Sequence, residues 1–421
     1  MSPRARLATS LVAGVAIAVI ATLIVLGAVT SNGPPACAGA TDATYLRTAF
    51  GVARAINVGE RDGAAVRRVV ATVEGDRALV AAVAAGDLAG VRAQVADLVY
   101  NHEHIVRLRV TRGGVVLDDL GGPLVLSPVT GTLRAGGAVV ATFELSLQDD
   151  AGYRKLVERL VGGRSVIRFH GRTLMSDLPV GSARLPARGA VSLRGVRYLT
   201  AELTDGRFPT GTLRIWLLFR APARSLARRS CAQVAADVLA GVARRAYGEL
   251  RTGPSVQPAL AALTGALPRV LAACDYARAR RIVAGAVAGG ALARLRVMVA
   301  GRVVADFGSR LPLVAPVRRL LRDGAGRVVA TAVFAVRSAR GFRDIARALA
   351  GAPVLIREGR RQLAGSFPGP ASLPRSGALR YRGVRYTVAS FAARAFPDIA
   401  VRVYLLDPLT RARATALSAR S

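Results

Sequence analysis

The stretch Val139–Arg168, VVATFELSLQDDAGYRKLVERLVGGRSVIR, decides how the chain is read, because it returns at Val328–Arg357 as VVATAVFAVRSARGFRDIARALAGAPVLIR. At a constant spacing of 189 residues the copies share Val139/Val328, Val140/Val329, Ala141/Ala330, Thr142/Thr331, Gly152/Gly341, Arg154/Arg343, Leu160/Leu349, Gly162/Gly351, Ile167/Ile356 and Arg168/Arg357. Each copy reads as an extended β-branched run, a polar opening, a helix, a glycine stop and a second extended run ending in arginine. Tyr153, Leu156, Val157, Leu160 and Val161 recur at the spacing of one buried helical stripe, and Phe342, Ile345, Leu349 and Ala350 repeat it. A repeat this long excludes a solenoid, and each copy can bury its own core.

The flanks repeat as well. Upstream, a helical region runs to about Asn101, with Thr41-Asp42 as its cap, helices at Thr41–Ile56, Arg67–Val83 and Leu88–Tyr100, and Leu88, Val91, Val95, Leu98 and Val99 on one face. Leu239, Val242, Ala246 and Leu250, followed by Ala259–Cys274 and Arg278–Ala288, match it in the second copy. The pattern then changes to period two: Val106–Val110 (VRLRV) alternates apolar residues with Arg107 and Arg109, and Arg294–Val297 (RLRV) repeats this. Gly113-Gly114 and Gly301 turn each into a hairpin. Downstream, Arg194–Tyr198 (RGVRY) is repeated unchanged as Arg382–Tyr386, Phe208-Pro209 as Phe396-Pro397, and LRIWLLF (Leu213–Phe219) as VRVYLL (Val401–Leu406). Each copy is therefore expected to hold one mainly antiparallel sheet of five or six strands with helices on one face.

At the N-terminus, Arg4 and Arg6 precede an uncharged run, Leu7–Val29. Its length suffices for the roughly 30 Å hydrocarbon core and exceeds the apolar region of about 7 to 15 residues in a secretory signal. The expectation is an uncleaved anchor with the arginines inside and the bulk of the chain extracytoplasmic. The organisation is then a stub and anchor over 1–30, a first domain over 37–220, a linker over 221–230, a second domain over 231–409 and a polar tail over 410–421.

The element order resembles the extracytoplasmic Cache sensor domains, whose sheet is PAS-like: a helical region, a hairpin, a loop, a strand of the type GxVVATFELSL running into a short helix, then strands around a glycine turn. The resemblance covers about residues 37–220 and 229–408. It implies an α+β fold, an N-terminal transmembrane helix followed by two tandem PAS/Cache-like domains, and small-molecule binding. The Tyr, Arg, Trp-Tyr and Asp with which some members hold amino acids are not visible, which leaves the ligand class open. Family members usually pass a signal to a cytoplasmic module. Here one membrane helix and no output module imply action through a membrane signalling partner.

The formal charge of +34 comes from arginines scattered among Ala, Gly and Val with one lysine, Lys155. This is a solvated, compositionally biased surface with an affinity for anions; nucleic acid is excluded as a partner by the outward topology. His102-Glu103-His104 has no third ligand nearby, no GxSxG elbow occurs, and Gly162-Gly163 lacks the Lys-Ser/Thr ending of a phosphate loop. No metal, cofactor or enzymatic activity is expected. The resembled architecture puts a ligand between the sheet and the loops after the hairpin, which makes Asp119, Arg168 and Tyr198 candidates in the first copy and Asp306, Arg357 and Tyr386 in the second. An arginine there is suited to a bidentate grip on the carboxylate of an organic anion. The competing reading pairs Asp119 with Arg168 and makes Tyr198 a core ring. The other class of function is a structural or adhesive envelope protein that holds anionic polymers on its basic surface. Of Cys37, Cys231 and Cys274, the pair expected to bridge is Cys231 with Cys274, at the open end of a helical hairpin.

Overall fold

The computed structural model describes residues 37, 40–102, 105–181, 183–209, 211–223, 226 and 229–408. The expected anchor and the tail from 410 lie outside them; among the described residues no helix is long and apolar enough to cross a membrane. The fold is α+β with several antiparallel sheets. Two compact units make it up, one covering 39–226 and the other running from 227 onward together with the segment around Cys37.

The first unit opens with α1 (Thr41–Asp62), α2 (Ala64–Glu74), α3 (Arg77–Ala85) and α4 (Leu88–Asp97). Thr41 is the first helical residue rather than a cap, and Asp42 pairs with Arg197 at 2.7 Å instead. The expected helix Arg67–Val83 is broken at Gly75-Asp76, where the Asp76 carboxylate accepts from Leu79 N–H and starts α3. Of the stripe expected on α4, Val91, Val95 and Leu98 are buried, whereas Leu88 is exposed.

Next come β1 (Arg107–Arg112), β2 (Val115–Gly121), β3 (Val125–Leu126), β4 (Val129–Ala135) and β5 (Ala138–Ser146), of which four form a sheet in the order β2-β1-β5-β4. Leu108 and Val110 are buried between this sheet and α2–α4, and the alternate Arg107 and Arg109 point the other way. After β6 (Gln148–Asp149), α5 (Asp150–Leu156) continues through a wider turn to Val161 and leads to a second sheet: β7 (Gly163–Phe169), β8 (Arg172–Ser176), β9 (Arg188–Leu193), β10 (Val196–Gly206) and β11 (Thr212–Arg220), ordered β8-β7-β11-β10-β9.

The single sheet expected in each copy is thus two. The reason lies in Val139–Arg168 itself: its first strand, in β5, pairs with β1 and β4, and its last, β7, pairs with β11 and β8, so the helix between them is the crossover from one sheet to the other. Asp149 caps this helix by accepting from Gly152 N–H, Tyr153, Val157, Leu160 and Val161 are buried, and Gly162 ends it in the left-handed conformation with φ 78°.

In the second unit α6 (Cys231–Thr252), α7 (Gln257–Thr264), α8 (Leu267–Ala272) and α9 (Tyr276–Ala288) precede β12 (Arg294–Val299), β13 (Arg302–Gly308), β14 (Leu313–Val314), β15 (Val317–Arg322) and β16 (Val328–Ala335). The first sheet is ordered β13-β12-β16-β15. After β17 (Arg337–Ser338), the helix α10 (Ala339–Ala350), capped by Ser338 and stopped by Gly351 at φ 62°, crosses to β18 (Val354–Glu358), β19 (Arg361–Gly365), β20 (Ser376–Tyr381), β21 (Val384–Ala395) and β22 (Ile399–Pro408). Here the order is β19-β18-β22-β21-β20, with β14 and β17 added at the β21 edge through Val314 and Ala395. The strand pairing therefore follows the first unit, where the bridge between Leu126 and Arg207 stands in the corresponding place.

Cys231 is joined to Cys37, with their Cα atoms 5.0 Å apart, and Cys274 is free and exposed. The expected Cys231–Cys274 bridge does not form because the hairpin behind it does not. The 22 residues of α6 extend about 33 Å, whereas the 8 of α7 and 6 of α8 reach about 12 and 9 Å, too short to return along it. Moreover α6 packs on β21 and β22, while α7–α9 pack on the first sheet.

Candidate ligand-binding groove

Along β11, Leu213, Ile215, Leu217 and Phe219 turn to one face and are fully buried, which leaves Arg214, Trp216 and Leu218 on the other. The β8–β9 loop folds over that second face, and its Val180 and Leu185 pack with Val166, Trp216 and Leu218. Beside this contact a cavity of about 520 Å³ opens, lined by Arg168, Arg184, Leu185, Pro186, Arg214 and Trp216. That volume is in the range of small-molecule sites.

Trp216, the single tryptophan of the chain, is 3% exposed. The guanidinium carbons of Arg168 and Arg214 lie 5.3 and 4.8 Å from its ring. Its Nε1–H finds no acceptor among the described residues. Arg168 is oriented from outside the cavity: its Nε donates to Thr173 Oγ1 at 3.1 Å and its Nη2 to the Ala183 carbonyl at 2.9 Å. Arg214 forks onto Glu202, with Nη2 to Oε2 at 2.7 Å, and that hydrogen bond outweighs burial to raise the guanidinium pKa further. Exposed Arg184 makes no hydrogen bond or ion pair among the described residues. Three guanidinium groups therefore line the cavity beside the Trp216 side chain, a donor set suited to carboxylate or phosphate oxygens.

Of the residues singled out in the sequence, Arg168 is in this groove and Tyr198 packs at its edge against the Trp216 cluster. Asp119 is elsewhere, in the first sheet. It accepts from Arg107 Nε at 2.8 Å and Nη2 at 2.9 Å, and from Arg109 Nε at 2.9 Å and Nη2 at 2.6 Å. Both guanidinium groups lie over the Phe208 ring, 4.8 and 5.6 Å from its centre. Burial pushes the Asp119 carboxyl up, but the hydrogen bonds and attraction of the two arginines prevail and hold it below the usual carboxylate range. The pairing of Asp119 with Arg168 is thus overturned: the two residues belong to different sheets. Asp306 repeats the cluster with Arg294, Arg296 and Phe396, and its carboxyl is likewise held low against the effect of burial.

Arg357 occupies the place of Arg168 but is only 5% exposed. Its Nη1 donates to the Ala371 carbonyl at 3.1 Å, and its Nε has no partner among the described residues. Around it Tyr404 replaces Trp216, Ser372 replaces Arg184, and Arg402 reaches Ser390 Oγ at 3.3 Å where Arg214 meets Glu202. Tyr386 is packed among Phe367, Leu355 and Leu379. Of the histidine pair, His104 lies outside the described residues; among those described no group of three His, Cys, Asp or Glu side chains could hold a metal.

The sequence reading passed over Trp216, Arg184 and Arg214. Two signals were there: the period of two in LRIWLLF puts Arg214 and Trp216 on one face, and the repeated loop reads SARLPARG (182–189) in one copy and PASLPRSG (370–377) in the other, diverging at Arg184. No protein-family model matches the chain, and no curated protein matches it.

Proposed function

We propose that this chain is a membrane-anchored, extracytoplasmic protein of two Cache-like units that binds a small organic anion in the groove of its first unit and acts through a membrane partner. The observation that carries the reading is Trp216, flanked by Arg168 and Arg214, with its indole N–H unpaired. The two guanidinium groups offer forked donors to an anion, and the ring between them offers an apolar wall. The antiparallel sheet reached through a capped crossover helix supports a PAS-like unit, and the apolar run Leu7–Val29 supports an anchor.

Because Trp216 is the only tryptophan, its fluorescence reports on this groove alone. Titration of the full chain with carboxylates and phosphate esters should change the emission saturably, and Arg168→Ala should move the midpoint to about tenfold higher concentration or more. A silent tryptophan across such a set, alongside salt-sensitive binding to acidic polysaccharide, would replace this reading with the adhesive one.

A further inference from the structure

A second cavity of about 550 Å³ adjoins the first and shares Ala187 and Arg214 with it. One side is the face of α1 that carries Phe50, Arg54, Asn57, Val58 and Arg61, whose spacing puts them on a single helical stripe. The other side is β10 where its pairing with β9 ends: Ala201 is opposite Arg188, Glu202 N–H still donates to the Ala187 carbonyl at 2.8 Å, and Leu203 and Thr204 follow beyond it. The charges are arranged in the same way as in the first cavity. Arg54 is exposed and makes no hydrogen bond or ion pair among the described residues, and Arg61 is hydrogen-bonded by its chain neighbour Asp62 and attracted by Asp205.

Asp62 forks onto Arg61 from outside the cavity, and the two further carboxylates nearby are engaged elsewhere. Glu202 is forked onto Arg214. Asp205 points inward, where its Oδ2 accepts from Asn57 Nδ2 at 2.8 Å and from Ser127 N and Oγ at 3.1 and 2.9 Å. Between the basic ends Leu185, Pro186 and Leu203 supply apolar wall beside the mutually paired Arg214 and Glu202, and Ala187 has too short a side chain to close the passage.

Resting on the binding function proposed above, we infer that the ligand is an elongated organic dianion. One anionic group lies against Arg168 and Arg184, an apolar middle passes Ala187 and Arg214, and the second anionic group reaches Arg54 and Arg61. A monoanion fills only the first cavity and leaves Arg54 without a counter-charge.

The test is a Trp216 fluorescence titration of the full chain with heptanoate and with the heptanedioate and nonanedioate dianions. The dianions should bind at least tenfold more tightly than heptanoate. In the double variant Arg54→Ala/Arg61→Ala this gain should disappear while heptanoate affinity is unchanged, which also shows that the variant is folded. The gain should survive in the charge-matched control Arg244→Ala/Arg251→Ala, on the corresponding helix α6. Equal affinity of mono- and dianions in the unaltered chain, or a gain that persists without Arg54 and Arg61, overturns the dianion while leaving the groove. No response to any of the three probes overturns both.

Discussion

The two units pair their strands in the same order, yet their interiors are solved with opposite chemistry. In the first, Asn57, Ser127 and Asp205 make a buried hydrogen-bonded network, and the buried Tyr153 Oη donates separately to the Ala53 carbonyl at 3.4 Å. The corresponding positions in the second are Tyr247, Ala315, Ala393 and Phe342, and there the Tyr247 ring meets Phe342 edge-on at 5.6 Å and Phe391 at 6.2 Å. Tyr247 Oη donates to the Arg394 carbonyl at 2.8 Å and accepts from Arg394 N–H at 2.9 Å, so its one polar atom is satisfied. The consequence reaches the surface. Phe391 stands where the first unit has Leu203, and Arg244, the counterpart of Arg54, lies over its ring at 5.6 Å. A larger ring at this one position occupies space that the first unit leaves open. A shared scaffold is thus compatible with a leucine beside an open groove in one unit and a phenylalanine under an arginine in the other.

The difference can be pressed experimentally, and the largest effect concerns the covalent link. The first unit contains no cysteine, whereas Cys37–Cys231 closes a separation of 194 residues in the grouping of the second. Reduction, or Cys231→Ser, should lower the stability of the second unit by roughly 4 kcal/mol, seen as an earlier circular-dichroism transition, and leave the Trp216 transition in place.

Next in size are the ion-paired clusters that the units have in common. Asp119→Asn and Asp306→Asn each leave two arginines facing one another over an aromatic ring. Each should cost about 3 kcal/mol in denaturant unfolding, and markedly unequal costs would break the equivalence of the two clusters. Slightly smaller, about 2 kcal/mol, is Asp205→Ala, which strands the donors of Asn57 and Ser127. The converse Ala393→Asp should also destabilise, because it places a carboxylate among rings with no donor provided for it.

Arg168→Ala should weaken anion binding by about tenfold or more, equivalent to about 1.4 kcal/mol, while Arg357→Ala leaves the Trp216 titration unchanged. A loss in both would show that the second unit shapes the groove of the first.

The smallest effect is the dependence on pH. Asp119 and Asp306 have lowered pKa values, so the stability they contribute is present above the ordinary carboxylate range and is lost as pH falls through their lowered values. Burial raises Glu144, and burial with the neighbouring Asp149 raises Asp150, so these two oppose folding as pH rises from the ordinary carboxylate value through the raised one. Their counterparts Val333 and Ala339 do not titrate. Acid should therefore weaken the second unit more than the first, and Glu144→Gln with Asp150→Asn should bring the two acid transitions together in a pH series of unfolding curves.

The capped and glycine-stopped crossover helix was legible in Val139–Arg168, because caps, stripes and left-handed stops are local rules. Asp149 and Ser338 differ in charge yet perform the same cap. Arg168 was legible as a candidate contact by its place after the helix, but its partners were not, since Thr173 and Ala183 come to it through strand register and a loop. The disulfide was misread for a related reason: a run of helical residues gives the lengths of helices only after their breaks are known, and the breaks at Gly253 and Gly265 depend on which sheet each piece covers.

By itself the sequence determined the period of the chain and its excess of positive charge, which need only comparison and counting, and the alternation of its strands and the ends of its crossover helices, which follow from neighbours within a few residues. Only the tertiary structure decided that each unit has two sheets, that Asp119 is spent on Arg107 and Arg109, and that Trp216 lies between two arginines beside an open cavity. Those outcomes turn on hydrogen-bond register and on volume, and a single ring in place of a leucine alters the volume without disturbing the pattern.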